Sequence, residues 1–248
     1  MDTLTATAAS GMRSRIEALD LLANNISNAG TAGYKADQES YNLYFGESAW
    51  DGFQEGRPTG AEMPVIEKTW TDLSQGILVD TGNMSDVALA SSGFFVVQAS
   101  SGPIYTRSGH FRISKQGILE TQEGYQVLSA GGTSLQLDPA QPFTISRTGQ
   151  VSQNGVSVGA LRIMDAESVD ALTKRGGTYF SMSASSKPSA VVNPDVLQGK
   201  IEASNVPAPQ AAIKIVGVMR QFEMLQRAVR LAGDMNKQAV EQVAKVSG

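Results

Sequence analysis

The stretch IVGVMRQFEMLQRAVRLAGDMNKQAVEQVAKV, residues 215–246, keeps strict heptad spacing through its whole length. Steps of three and four link Ile215, Val218, Phe222, Leu225, Val229, Ala232, Asn236, Ala239, Val243 and Val246. Only Asn236 on this seam is polar, and neither Pro nor Gly lies on it. A repeat of about 3.5 residues keeps one narrow apolar stripe aligned along a helix, which suits packing against a second helix. A single amide on such a seam can fix register and partner number at some cost in stability. Taken alone, the pattern reads more simply as an amphipathic helix docked on its own domain, so the other end of the chain decides.

That end carries a matching stripe. Ala9, Met12, Ile16, Leu19, Ala23 and Ile26 follow the same three-four spacing, and Leu4, Ala8 and Leu22 widen the face. Arg13, Arg15, Glu17 and Asp20 lie mostly off it. The pattern stops at Asn28-Ala29-Gly30, with Gly33 shortly after, as a helix end requires. The chain is therefore expected to begin and end with helices whose seams pair.

The 248 residues suffice for one large domain or two small ones. At 41 % hydrophobic but only 6 % aromatic, the chain can fill a modest core but is light on the large aromatics common in enzyme interiors. A net charge of −4 argues against a nucleic-acid footprint, which wants a basic surface. Cysteine is absent, which removes thiolate catalysis, disulfides and cysteine metal sites. No apolar run approaches the roughly 18–20 residues of a membrane span, and no basic-then-apolar leader pattern is visible. Composition alone favours a soluble cytoplasmic protein and leaves open export by a route without a cleaved signal.

Between the helices the character changes. Residues 35–75 are broken by Gly46, Gly52, Gly56, Pro58, Gly60 and Pro64, and are expected to form an extended contact segment with a short strand near Val65-Ile66. Tyr41, Tyr44, Phe45, Trp50 and Phe53 argue against a disordered linker. From residue 76 to 202, short strand signals recur at intervals punctuated by Gly, Asn, Ser and Pro, including Val87-Ala88-Leu89, Phe94-Phe95-Val96-Val97, Leu135-Gln136-Leu137 and Phe143-Thr144-Ile145. Such spacing signals an antiparallel β domain. Ile113-Ser114-Lys115-Gln116-Gly117-Ile118-Leu119 echoes Ile145-Ser146-Arg147-Thr148-Gly149-Gln150-Val151, and each reads as a hairpin whose Gly takes positive φ. A short helix is expected around 166–172, a loop over 181–194, and a last strand at 199–202. Pro207 and Pro209 mark the start of the terminal helix.

No set of residues assembles a reaction. His110 is the sole histidine and sits beside Gly109 and Phe111, with no Gly-x-Ser-x-Gly elbow to supply a nucleophile; it reads as structural. No phosphate loop or dinucleotide fingerprint is present. Asp80-Thr81-Gly82-Asn83-Met84-Ser85-Asp86 lacks the ligand alternation and terminal Glu of a calcium loop and reads as an Asx-type turn. No catalytic residue, metal, cofactor, nucleic acid or small-molecule substrate is expected.

Several blocks resemble the bacterial flagellar rod and hook proteins. Ala23-Asn24-Asn25-Ile26-Ser27-Asn28, with Thr31 and Gly33-Tyr34-Lys35, is similar to that family's N-terminal signature. Gly82-Asn83 with Asp86-Val87-Ala88-Leu89, and Gly93-Phe94-Phe95-Val96-Val97, resemble the opening of its β domain. Tyr105-Thr106-Arg107-Ser108-Gly109, Phe111-Arg112, Gly117 and Gly124-Tyr125-Gln126-Val127-Leu128 continue the likeness. Glu202, Ser204-Asn205-Val206 and Arg220-Gln221-Phe222-Glu223-Met224 complete it. Phe222-Glu223-Met224 and Val158-Gly159-Ala160-Leu161-Arg162-Ile163 look most like the proximal rod branch, with the distal rod branch as the alternative. The chain departs from the family at Ala90-Ser91-Ser92 and at Pro207-Ala208-Pro209.

The resemblance implies an α+β fold, mostly β: paired N- and C-terminal helices forming a coiled-coil-like domain, and a central antiparallel β domain. The expected divisions are 1–34, 35–75, 76–202 and 203–248. It further implies a non-enzymatic axial subunit of the basal-body rod, a part of the drive shaft below the hook. Such a subunit is exported through the flagellar type III apparatus, without a cleaved signal, to the periplasm-spanning rod of the basal body, and its partners are other rod proteins. The assembly interface would comprise Met12, Ile16, Leu19, Ala23, Asn24, Asn25, Ile26, Asn28, Gly33 and Tyr34, together with the C-terminal seam from Ile215 to Val243. Two rival readings are a cell-wall-active enzyme on a β scaffold and an adaptor dimerising through its helices.

Overall fold

The computed structural model describes residues 3–45, 62–166, 168, 171–183, 186 and 188–246, apart from the side chains of 3–6, 41–45, 62–65, 67, 239–240 and 242–246. Gly46, Trp50, Gly52, Phe53, Gly56, Pro58 and Gly60 of the expected contact segment lie outside the described residues, as do the side chains of Ala239, Val243 and Val246 on the C-terminal seam. Contacts divide the chain into two compact units. One comprises residues 1–27, 37–71 and 207–248; the other comprises 28–36 and 72–206.

The first unit pairs α1 (Thr3–Ser27) and α2 (Ala208–Val246) with a two-stranded hairpin, β1 (Asp37–Phe45) and β2 (Glu62–Thr71), that packs on α1. The hairpin occupies much of the stretch expected as extended chain. It runs in register from Asp37↔Thr71 to Phe45↔Glu62, with an irregularity at Ser40/Tyr41. Pro64, opposite Leu43, is tolerated because each strand of a two-stranded ribbon has a free edge.

The helices pair, but α1 does not bury its expected seam. Its buried row is Ala8, Gly11, Ser14, Ala18, Leu22 and Asn25, while Ile16 is 48 % exposed and Ala9 and Ala23 are exposed. On α2 the heptad seam does face inward: Ile215, Val218, Phe222, Leu225 and Val229 are half-buried and Ala232 is buried. The most deeply buried row of α1 is thus mostly small and lies beside the expected seam, of which Met12, Leu19 and Ile26 are half-buried.

The second unit begins with the turn segment 28–36 and contains strands β3 (Leu78–Asp80), β4 (Val87–Leu89), β5 (Phe94–Ala99), β6 (Gly102–Thr106), β7 (Phe111–Ile113), β8 (Leu119–Thr121), β9 (Gln126–Val127) and β10 (Phe143–Ile145). They are followed by β11 (Gln150–Gln153), β12 (Val156–Ala160), β13 (Ile163–Asp165), β14 (Leu172–Gly176), β15 (Tyr179–Met182), β16 (Ser189–Ala190), β17 (Val196–Gln198) and β18 (Lys200–Glu202). All these pairings are antiparallel. The main sheet runs β14-β15-β6-β5-β9-β8-β7, with β13 also on β5, and a separate sheet runs β10-β11-β12.

Strand β5 explains the core. Its Phe95 and Val97 enter one apolar cluster with Leu89, Phe111, Leu119 and Val151. Its Phe94 and Val96 enter a second with Tyr105, Leu128 and Phe180. The period-two alternation of a strand thus feeds two cores from one run of aromatics and valines. The rings of Phe95 and Phe111 meet edge-on at 5.2 Å.

The repeated heptapeptide forms two equivalent turns. Gly117 N donates to Ser114 O and Gly149 N to Ser146 O, each at 2.9 Å, with φ of 80° and 78° at the two glycines. Elsewhere expectation and structure differ. Of the expected short helix, Ala171 lies in a 3-10 turn, its N donating to Ser168 O at 3.2 Å, and Leu172 opens β14; residues 167, 169 and 170 lie outside the described residues. The expected loop 181–194 includes the end of β15 and all of β16. Leu135 and Leu137 are buried but form no strand; Ser134 and Gln136 beside them make isolated bridges to Leu128 and Ile118.

Candidate assembly surfaces and the chain-crossing node

The residues expected to mediate assembly fall into two groups. Met12, Leu19 and Ile26 on α1 are half-buried, and Ile16 and Ala23 are exposed, so this apolar stripe is only partly covered. Asn24 is exposed, and Asn236 on α2 is exposed at the far end of the seam. Asn25 serves its own chain. Its Nδ2 donates to Asp37 O at 2.7 Å and its Oδ1 accepts from Asp37 N at 3.0 Å, which fixes the first residue of β1 against the end of α1.

Asn28, Gly33 and Tyr34 belong to a node inside the second unit. Asn28 O accepts from Thr31 N at 3.1 Å, closing the turn after α1. Gly33 N donates to Glu202 O at 2.7 Å. At φ 71°, a Cβ on Gly33 would lie 2.2 Å from Ser108 N, so only glycine fits. Tyr34 is buried beneath the Lys174 ammonium, which lies 3.9 Å from its ring centroid.

Lys35 and Glu202 lie at the centre of this node, both wholly buried, with Nζ 2.5 Å from Oε1. Nζ also donates to Ser74 O at 2.6 Å, Gly76 N donates to the same carboxylate oxygen at 2.9 Å, and Arg107 Nη1 lies 3.5 Å from Oε2. Burial pulls the Lys35 ammonium below its ordinary value, against the opposing pull of the Glu202 hydrogen bond and charge. Burial lowers Arg107 likewise. One carboxylate thus faces two buried cations, an arrangement that holds only while every member is in place.

Asn205 adds the backbone part. Its Oδ1 accepts from Ala36 N at 2.8 Å and its Nδ2 donates to Asp72 O at 2.8 Å, while Asp72 N donates to Ala36 O at 2.8 Å. These residues stand at or beside three of the four points where the chain passes from one unit to the other. Lys35, Arg107, Glu202 and Asn205 all lie in the motifs quoted from the sequence, yet only a charged residue inside an otherwise apolar or turn motif hinted at their role.

The structure shows how His110 is used. Its Nδ1 lies 2.7 Å from Asp86 Oδ1, with the histidine half-exposed and the aspartate buried. Among the described residues no group of three or more His, Asp or Glu is placed to hold a metal ion, and no helix is long and apolar enough to cross a membrane.

Comparison with known proteins follows the same two regions. Residues 6–35, which span most of α1 and the turn to Lys35, match the family described as Flagella basal body rod protein. Residues 88–153 match the Flagellar hook protein FlgE/F/G D1 domain. The chain is 30 % identical over 230 residues to the flagellar basal-body rod protein FlgF of Caulobacter vibrioides, covering 92 % of this chain and 93 % of that one. It is 28 % identical to FlgF of Rhizobium meliloti, with 90 % of each covered. It is 32 % identical to the rod protein FlgG of Agrobacterium fabrum, covering 93 % of this chain and 95 % of the other. Helical ends, a two-core β unit and near full-length similarity converge: the chain belongs to the flagellar basal-body rod protein family and is FlgF-like within it.

Proposed function

We propose that this FlgF-like structural subunit works without catalysis, as an axial building block that joins other rod proteins through its terminal helices. The observation that carries the reading is the partly exposed stripe of α1: Ile16 is 48 % exposed between half-buried Met12 and Leu19. An apolar row at heptad spacing that its own chain covers only in part can complete its burial against a further helix. Passage through the flagellar type III export apparatus is part of the same proposal.

The test is location and requirement together. Basal bodies purified from motile cells should contain the chain, and cells lacking it should build no hook. Hook assembly in its absence would overturn the structural role. Release of soluble fragments from cell wall by the purified chain would overturn the claim that it does no chemistry.

A further inference from the structure

Strands β11 and β12 are joined by the tight turn Asn154-Gly155, closed by Gln153 opposite Val156. Both turn residues take positive φ, 52° and 78°, the combination that matches the twist of a hairpin. Asn154 is the one non-glycine residue with positive φ among the described residues. Both residues are exposed, and a Cβ on Gly155 would meet nothing within 4 Å. Gly155 N donates to no acceptor among the described residues. In the whole sequence Asn154 is the single asparagine followed by glycine; every other precedes a residue that carries a side chain. Asn154 is also tethered, since its Nδ2 donates to Gln141 Oε1. Gln153 places Gln141 there: its Nε2 donates to Gln141 O and to Asp138 O, each at 3.0 Å, and its Oε1 accepts from Asp138 N at 2.9 Å.

We propose that Asn154 is a site of spontaneous modification, an asparagine that deamidates through a cyclic imide, and that Gln141 sets the rate. The nucleophile is Gly155 N, which no side chain shields. It gives up its proton to water and bonds to Asn154 Cγ. The Cγ–Nδ2 bond breaks, and the departing nitrogen takes a proton back from water and leaves as ammonia. Water then opens the imide. Breaking the new N–Cγ bond leaves an aspartate at position 154, whereas breaking the original peptide bond leaves isoaspartate, with the chain running through Cβ and Cγ. On balance a water is consumed and ammonia is released. Ring closure needs the side chain swung back over Gly155 N, a pose Asn154 cannot take while Gln141 holds Nδ2. Either product ends in a carboxylate, which only accepts hydrogen bonds, so the tether to Gln141 Oε1 is not remade.

The test is peptide mapping by mass spectrometry of the purified full chain, held in mildly alkaline buffer and sampled over days. Trypsin releases residues 148–162, between Arg147 and Arg162, a peptide in which Asn154 is the only asparagine. Aspartate and isoaspartate should appear at position 154 before any other asparagine is converted. Gln141→Ala, a substitution at an exposed position, should convert about fivefold faster, the factor that corresponds to losing a net hydrogen bond of ordinary strength. In urea the two chains should convert at a common rate, because the tether exists only in the folded state. Earlier conversion of another asparagine, or an Asn154 that stays intact throughout, overturns the site. Equal rates for folded wild type and Gln141→Ala, or unequal rates in urea, overturn the role of Gln141.

Discussion

Replacing Glu202 with Gln probes the node with almost no change of shape. The amide oxygen can still accept from Lys35 Nζ and Gly76 N, which lie 2.5 and 2.9 Å from Oε1. The nitrogen that replaces Oε2 points donors at the Arg107 guanidinium, 3.5 Å away. Two buried cations then lack their shared carboxylate. Removing one partner of a buried pair costs about 3–5 kcal/mol. For a unit of about 140 residues, each kcal/mol lowers Tm by roughly 4 °C, so the expected fall is about 12–20 °C. Lys35→Met is milder, at about 1–3 kcal/mol, because Glu202 keeps Arg107 and Gly76. The double variant should cost less than the two singles together by about 1.5 kcal/mol or more, as residues in one network couple. Thermal unfolding of the full chain, followed by the β-sheet band in circular dichroism, measures all three. A Glu202→Gln transition within about 3 °C of wild type, set against the expected loss, would refute the reasoning.

The depressed Lys35 value predicts a pH effect: between that value and the ordinary 10.5 the unfolded chain binds more protons, so this group's contribution to stability rises with pH across that window and is flat below it. Urea unfolding of wild type against Lys35→Met should show the wild type gaining as pH rises, and a constant difference contradicts it. Gly33→Ala forces a side chain at φ 71° into the Ser108 backbone, and should cost at least about 2 kcal/mol by denaturant midpoint; an unchanged midpoint is the adverse result. Leu225→Asp places a carboxylate on the half-buried α2 seam and should prevent rod incorporation in cells, while exposed Gln221→Asp incorporates normally. Equal incorporation of the two removes the seam from assembly. His110→Ala leaves the buried Asp86 carboxylate without its partner, lowering stability by about 1–3 kcal/mol with swarming retained; loss of swarming by a folded variant would reopen a chemical role.

What could be read from the sequence was what repeats or alternates. The two turns at Gly117 and Gly149 were legible because the same residues recur at the same offsets, and α2 because its seam is made of large side chains. The buried face of α1 was not, since periodicity weights hydrophobicity, whereas its most buried positions include the small Gly11, Ser14 and Ala18. Strands β1 and β14 were hidden by polar residues such as Gln38, Glu39, Lys174 and Arg175. Such residues suit edge positions and weaken the alternation signal. Nothing local pairs Lys35 with Glu202, so the node could be recognised only as a run of motif residues.

That pairing spans 167 residues, and it sets a clock. During synthesis Lys35 emerges far ahead of its countercharge; at about 5–20 residues per second the wait is roughly 8–33 s. Over the same interval β3 and β4 lack β18 and β17, the strands they pair with. Closure of the β unit is thus a late, long-range event, and such contacts form slowly because loop-closure entropy is lost first. The nascent chain remains open for seconds to any carrier that binds unfolded polypeptide, and it becomes rigid only once nearly its whole length exists.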